Sequence, residues 1–269
     1  MRQFESLDEI KGIELAILKE VHTFCEENNL KYFLAYGTLL GSIRHNGFIP
    51  WDDDIDIWML REDYDFFEER FPEWGAKRNL YIAGPHSKEH FLPRHMLKVC
   101  DDRTVLMESK YKNHNSMGLF IDIFPLDRIS ENPVIQKAVL KIVRSYKYRI
   151  IASNLDKNSS VYKNFNFIKK MATILGSKGN PRSLVEKYVK LAKRFSDNNS
   201  GLVTAFYSAR PNVYSLKDFV PAVLHDFEDA QFYIPNGYDA ILRKQYGDYM
   251  KLPPEEKRVP EHTMEAFYK

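Results

Sequence analysis

Asp54 and Asp56, in the run Asp54-Ile55-Asp56-Ile57-Trp58-Met59-Leu60, are the residues whose types and spacing most directly suggest chemistry. In an extended chain, residues two apart face the same side, and a rise of about 3.3 Å per residue sets their Cα atoms roughly 6.5 Å apart. Carboxylates so placed raise each other's pKa, whereas a divalent cation, magnesium or manganese, reverses the balance by accepting oxygens from both. Such a pair suits metal-assisted attack at phosphorus. An acidic run such as Asp52-Asp53-Asp54 is more often a solvated turn, but this one continues into an apolar strand that a solvated turn does not need. A calcium loop is excluded, because Ile57 stands where that loop needs glycine and Asp63 where it needs a bidentate glutamate. An Asp-x-Asp of a sugar-nucleotide glycosyltransferase stays open at this point.

The elements that must position this pair can be read on either side of it. The pattern predicts a strand over 32–36, a glycine turn at Gly37-Thr38, a short helix over 39–45, a loop around Gly47 and Pro50, and a second strand over 54–60. Gly37 lets the backbone approach a phosphate, and the helix after Thr38 aims its N–H groups and dipole at it. Upstream, Ser6 and Glu9 cap a helix over 7–28 whose stripe is Ile10, Ile13, Ile17, Val21 and Phe24, with His22 a surface or boundary residue. Downstream, a helix over 62–70 turns Tyr64 and Phe67 inward and stops at Pro72. Strand and turn follow over 91–103, including Lys98 and Arg103. The run Phe120-Ile121-Asp122-Ile123-Phe124 then sets one acid in an apolar strand, costly if buried alone. Asp122 is therefore the natural third carboxylate, while Asp127, beyond Pro125, reads as a helix cap or turn residue.

Tyr36-Gly37-Thr38-Leu39-Leu40-Gly41, then Arg44-His45, Ile49-Pro50-Trp51-Asp52 and Asp54-Ile55-Asp56 resemble the signature of the LicD family, with further similar patches at 91–127 and 226–262. That family includes phosphocholine transferases acting on cell-surface glycans and is related to fukutin-type ribitol-phosphate transferases. The resemblance implies an α+β, nucleotidyltransferase-like mixed β-sheet flanked by helices. It implies a Mg2+ or Mn2+ ion held by Asp54, Asp56 and Asp122. It also implies substrate contacts at Gly37, Thr38, Arg44, Trp51, Lys98 and His262, Lys98 neutralising phosphate charge. The donor is then CDP-choline or a related CDP-alcohol carrying ribitol or glycerol phosphate, and the acceptor a lipid-linked glycan of teichoic-acid or lipopolysaccharide type. Choline's quaternary ammonium calls for aromatic faces, for which Trp51, Trp58 and Tyr36 are near in sequence.

A chain of 269 residues, 44% apolar and 28% charged, can bury a sizeable core. The organisation expected is a catalytic core over 1–130, a basic helical insertion over 131–198 and a segment over 199–269 that completes the core. The insertion reads as helices over 133–152, opened by Asn132-Pro133, over 160–175, and over 183–196, opened by Ser183 and Glu186. Between 133 and 195 there are 15 Lys and Arg against Asp156 and Glu186, about +13 in a chain of net +2. Nucleic-acid motifs are absent, so the expected partner of this surface is anionic membrane and not nucleic acid. Cys25 and Cys100 lie in apolar patterns without metal spacing and read as reduced, and no stretch reads as a leader or a membrane span, which points to the cytoplasmic side. Towards the end, a strand over 231–234 closes at Pro235, a helix over 238–246 closes at Gly247, and 253–262 is an extended tail.

Overall fold

The computed structural model describes residues 2–107, 117–154, 170–171, 174, 179–206, 212–259 and 265–269. The fold is α+β. Strand β1 (Arg2–Gln3) leads into helix α1 (Leu7–Glu27), and β2 (Tyr32–Leu34) runs into α2 (Tyr36–His45). Then come β3 (Asp56–Leu60), α3 (Arg61–Ala76), β4 (Leu80–Ala83), β5 (Leu97–Asp101), β6 (Thr104–Met107) and β7 (Phe120–Arg128). Helices α4 (Pro133–Asn154) and α5 (Pro181–Arg194) precede β8 (Leu202–Thr204), β9 (Val213–Ser215), the hairpin β10 (Ala222–Phe227) and β11 (Ala230–Pro235), helix α6 (Tyr238–Tyr246) and β12 (Glu265–Tyr268).

The central sheet is mixed and ordered β2-β3-β7-β5-β4, with β3 and β7 parallel and the other neighbours antiparallel. Its middle strand, β7, is buried along nearly its whole length, with both faces covered. Pro125 is tolerated there for a local reason. On β7 the β5 pairing ends at Ile123 and the β8 pairing begins at Asp127, so the residue without an N–H stands in the interval between them. Helix α1 packs on β5 and β7, α3 on β3, β4 and β7, and the two helices meet where Phe24 lies edge-on to Phe67 and Phe71 at 5.3 and 5.2 Å. A smaller sheet, β1-β12-β6, brings residues from both ends of the chain together.

Several expectations hold. Ser6 Oγ accepts from Glu9 N, and Glu9 Oε2 in turn accepts from Glu5 N. Asn132 Oδ1 accepts from Val134 N at the start of α4, α6 ends at Gly247, and both cysteines are free and buried. Others are corrected. Pro72 lies inside α3, which runs on to Ala76. Helix α5 is opened by Asn180, whose side chain accepts from Arg182 N, with Pro181 in the first turn, and not by Ser183 and Glu186. The helix expected over 160–175 falls almost wholly outside the described residues. Helices α4 and α5 share a core of Val139, Val143, Ile150, Leu184, Val185, Tyr188 and Val189.

Candidate active site

Strand register builds the site. Asp56 pairs with Asp122 across the parallel β3–β7 ladder, and Asp122 pairs with Lys98 across the antiparallel β7–β5 ladder, so the three side chains stand in one row across adjacent strands. Lys98 Nζ donates to Asp122 Oδ1 at 2.6 Å, with Lys98 buried and its ammonium 3.1 Å from the centroid of the Phe120 ring. Both backbone groups of Asp56 are fixed by the β2–α2 junction. Its N–H donates to Thr38 Oγ1 at 2.9 Å, and its carbonyl accepts from Ala35 N at 2.9 Å. Asp122 N donates to Ile55 O at 2.8 Å, which locks the neighbouring strand to the same frame. Burial, and then the charges of Asp54, Asp122 and Asp52, push the Asp56 carboxyl well above the usual carboxylate range, against the pull of Lys98.

The approach to β3 differs from the expectation. The strand begins at Asp56, so Asp54 precedes it. Asp54 groups with the preceding acids, and carboxylate oxygens of Asp52, Asp53 and Asp54 lie within 4.8 Å of one another. Gly37 also differs: it sits in the first turn of α2, and a Cβ there would stand 2.3 Å from Asp52 Oδ2. Its lack of a side chain makes room for the acidic run. Gly41 does the same one turn later, where a Cβ would meet Gly47 O at 2.4 Å, so α2 can lie directly on the loop that carries the aspartates. Between β2 and α2, Tyr36 takes a φ of +43°, a left-handed conformation that costs an aromatic residue on the order of 1–3 kcal/mol, and packs its ring on Trp58 and Phe124.

The other sequence-derived residues are placed as follows. Thr38 is buried and spends its oxygen on Asp56 N. Arg44 donates to Tyr249 O at 2.9 Å, and burial lowers its pKa. Trp51 is half-buried, with the Arg258 guanidinium 5.7 Å above its ring and His45 edge-on at 6.4 Å. Trp58 is fully buried against Tyr36, Tyr214 and Phe219 and is a core residue, not an aromatic face open to a ligand. His22 is half-buried and hydrogen-bonds Tyr32 Oη through Nδ1. His262 lies outside the described residues.

Sequence reading missed two groups here. One is Glu14 on α1, 2% exposed; burial, and then Asp54, Asp53, Asp122 and Asp52, push its carboxyl well above the usual range. The other lies at the far end of the strands. Asp127, expected as a cap or turn residue, is fully buried and accepts from Arg61 Nε at 2.7 Å and Nη2 at 2.9 Å. Arg61 Nη2 also faces His95 Nε2 at 3.0 Å. A guanidinium only donates, so Nε2 accepts and the His95 proton sits on Nδ1. Burial would raise Asp127, but the charge and hydrogen bonds of the Arg61 guanidinium outweigh it and hold Asp127 below the usual range.

Burial drives His95 down to about 4, against the pull of Asp127 and with the push of Arg61. The unfolded chain therefore takes up the proton first as pH falls. The stabilisation of neutral His95 is complete above about 6.5 and is lost as pH falls to about 4, a loss of about 3 kcal/mol. Denaturant melts of the wild type and His95→Asn between pH 7 and 4 are expected to differ by this loss, because the raised carboxyls of Asp56 and Glu14 act in the opposite direction in both. An unchanged slope would assign the acid sensitivity elsewhere.

The donors gathered here are all hard oxygens, and Asp56 and Asp122 share the row with a single paired lysine. That set fits magnesium or manganese and not a thiolate- or imidazole-preferring metal.

Residues 29–156 match the family described as LicD/FKTN/FKRP, nucleotidyltransferase domain. The lipopolysaccharide cholinephosphotransferase LicD of Haemophilus influenzae is 35% identical over 97% of this chain and 98% of its own length. Uncharacterized proteins of Rickettsia typhi and Rickettsia prowazekii are each 41% identical over shorter stretches, covering 47% and 22% of this chain and 38% and 22% of their own.

Proposed function

The chain belongs to the LicD family, and from that premise we propose that it is a phosphocholine transferase, moving phosphocholine from CDP-choline to a hydroxyl of a cell-surface glycan precursor and releasing CMP. The observation that carries the phosphoryl-transfer reading is the register that sets Asp56 beside Asp122 at the mouth of the Asp52-Asp53-Asp54 run. Choline as the transferred group rests on the full-length likeness to the Haemophilus influenzae enzyme.

In this reading Asp54, Asp56 and Asp122 hold magnesium or manganese, which when bound neutralises phosphoryl oxygens and lowers the pKa of the attacking hydroxyl. The N-terminus of α2, with Gly37 and Thr38 in its first turn, is the proposed seat of the donor's pyrophosphate, on the side to which the helix dipole draws negative charge. Lys98 orients Asp122 through their ion pair. Trp51 offers an aromatic face that already accepts one cation, Arg258, and that suits the trimethylammonium group. Arg44, tied to Tyr249, and His262 complete the proposed substrate contacts. The acceptor oxygen forms its bond to the choline-bearing phosphorus as the bond to the bridging oxygen breaks, and CMP departs. Positioning and charge neutralisation supply most of the acceleration.

The test is incubation of the purified chain with CDP-choline and magnesium, with and without a glycolipid acceptor extract, following CMP by chromatography. Metal-dependent CMP release with label transferred to the glycan is expected. Release from CDP-ribitol or CDP-glycerol instead would keep the mechanism and change the group transferred. Turnover of a sugar nucleotide, or of none of these donors, rejects the reading.

The acceptor is proposed to be lipid-linked, and α4 offers a surface for it. Val134, Ile135, Ile142 and Tyr148 are exposed along this helix among Lys137, Lys141 and Arg144. No helix among the described residues is long and apolar enough to cross a membrane. The chain is expected to sediment with vesicles rich in anionic lipid at low salt and to be released as salt screens the charge, with Ile135→Asp plus Ile142→Asp weakening the interaction. Indifference to such vesicles removes the membrane role.

A further inference from the structure

Helix α1 reaches the acidic approach to β3 through two residues one turn apart on the same face, Lys11 and Glu14. Lys11, itself buried, donates from Nζ to Ile49 O at 3.2 Å and Pro50 O at 3.1 Å, the carbonyls that lead into the Asp52-Asp53-Asp54 run. Glu14 follows it into the interior, 2% exposed, and its Oε2 has no hydrogen-bond partner. The charges that act on Glu14 most strongly are Asp54, Asp53, Asp122 and Asp52. The two lysines that could balance it are engaged, Lys11 on backbone carbonyls and Lys98 on Asp122.

A buried carboxylate oxygen without a donor, set against four aspartates, makes no sense as a structural ion pair. Its cost is relieved either by protonation or by a positive charge brought into that space. Asp52, Asp53 and Asp54 already converge within 4.8 Å, so the acidic run and the unpartnered oxygen are two separate observations that point to the same ligand. We propose that Glu14 is a further carboxylate of the divalent-cation site, supplied by α1 from outside residues 29–156. This rests on the metal dependence proposed above. Its consequence is that cation binding fastens α1 to the catalytic loop, with Lys11 gripping the backbone and Glu14 gripping the ion.

The experiment is direct titration of the whole chain with Mn2+ by calorimetry and electron paramagnetic resonance, without nucleotide, alongside thermal melts with and without the ion. Glu14→Gln keeps size and shape and is expected to weaken Mn2+ binding by about 10-fold or more. Its metal-free melting temperature should stay the same or rise, and the gain on adding Mn2+ should shrink. If Glu14→Gln fails to fold, Glu14→Asp keeps the charge one methylene further back and should fold with Mn2+ affinity lowered about 3-fold or more. Wild-type affinity in whichever variant folds overturns the assignment while leaving the phosphoryl-transfer reading intact. A wild-type chain that binds no Mn2+ up to millimolar concentration overturns both.

Discussion

Asp56→Asn is expected to lower turnover by on the order of 10³, because it removes one carboxylate from the proposed cation and the charge-stabilisation term lost is about 4 kcal/mol at about 1.4 kcal/mol per decade. Stability should move the other way. Asp56 is pushed towards its neutral form by burial and by three neighbouring aspartates, so a neutral amide of the same shape relieves repulsion and keeps the N–H bond to Thr38 and the carbonyl bond to Ala35. Asp54→Asn should cost similar activity, since Asp54 is the largest charge acting on Asp56. The measurement is CMP release against magnesium concentration, paired with a thermal melt of each variant. Near-normal turnover with intact metal dependence would remove these residues from the mechanism. Lost activity with a collapsed melt would make the effect structural.

The row that this prediction depends on was legible in the sequence because period-2 patterning is local. Ile55, Ile57 and Met59 identify β3, and a lone acid in Phe120–Phe124 identifies Asp122 as a residue that needs a partner. What local pattern cannot show is which strands become neighbours. Lys98, expected to neutralise phosphate charge, is the partner of Asp122 within the row, a pairing that the local pattern does not reveal. Gly37-Thr38 looked like a turn because glycine usually marks one, whereas here glycine clears space for Asp52 and the helix starts at Tyr36. Glu14 drew no notice in the sequence, since nothing in the local pattern of α1 reveals that this side of the helix is buried and that Lys11, one turn before it, meets the Ile49 carbonyl. Asp127 was misjudged for the same reason: Pro125 suggested a strand end, but β8 takes up the pairing two residues later, and its charge partner lies 66 positions away.

That distant pair carries the second large effect. Arg61 and Asp127 each follow directly on the last rung of the β3–β7 ladder, Leu60 with Leu126, so their bidentate contact ties the two parallel strands one residue beyond their final pairing. Both are buried, Arg61 at 9% exposure and Asp127 at 0%; removing Arg61 leaves Asp127 a desolvated charge without its counter-ion, and removing Asp127 leaves Arg61 only the more exposed Asp65 at 3.3 Å. Asp127→Ala and Arg61→Met are each expected to destabilise by about 3–5 kcal/mol, a large part of the roughly 5–15 kcal/mol that holds a domain of this kind folded. Replacing both together, Arg61→Met with Asp127→Leu, should recover most of that loss, because the cost lies in the orphaned charge and not in the absence of the pair. Urea melts of the two single variants and the double variant form the test. If the double variant is as unstable as the sum of the singles, the pair is contributing net attraction instead. The Asp56–Asp122 row, five residues upstream on β7, should keep the metal affinity proposed for it in the double variant, since Asp56 and Asp122 are fixed at the other end of the ladder by Thr38, Ala35 and Ile55.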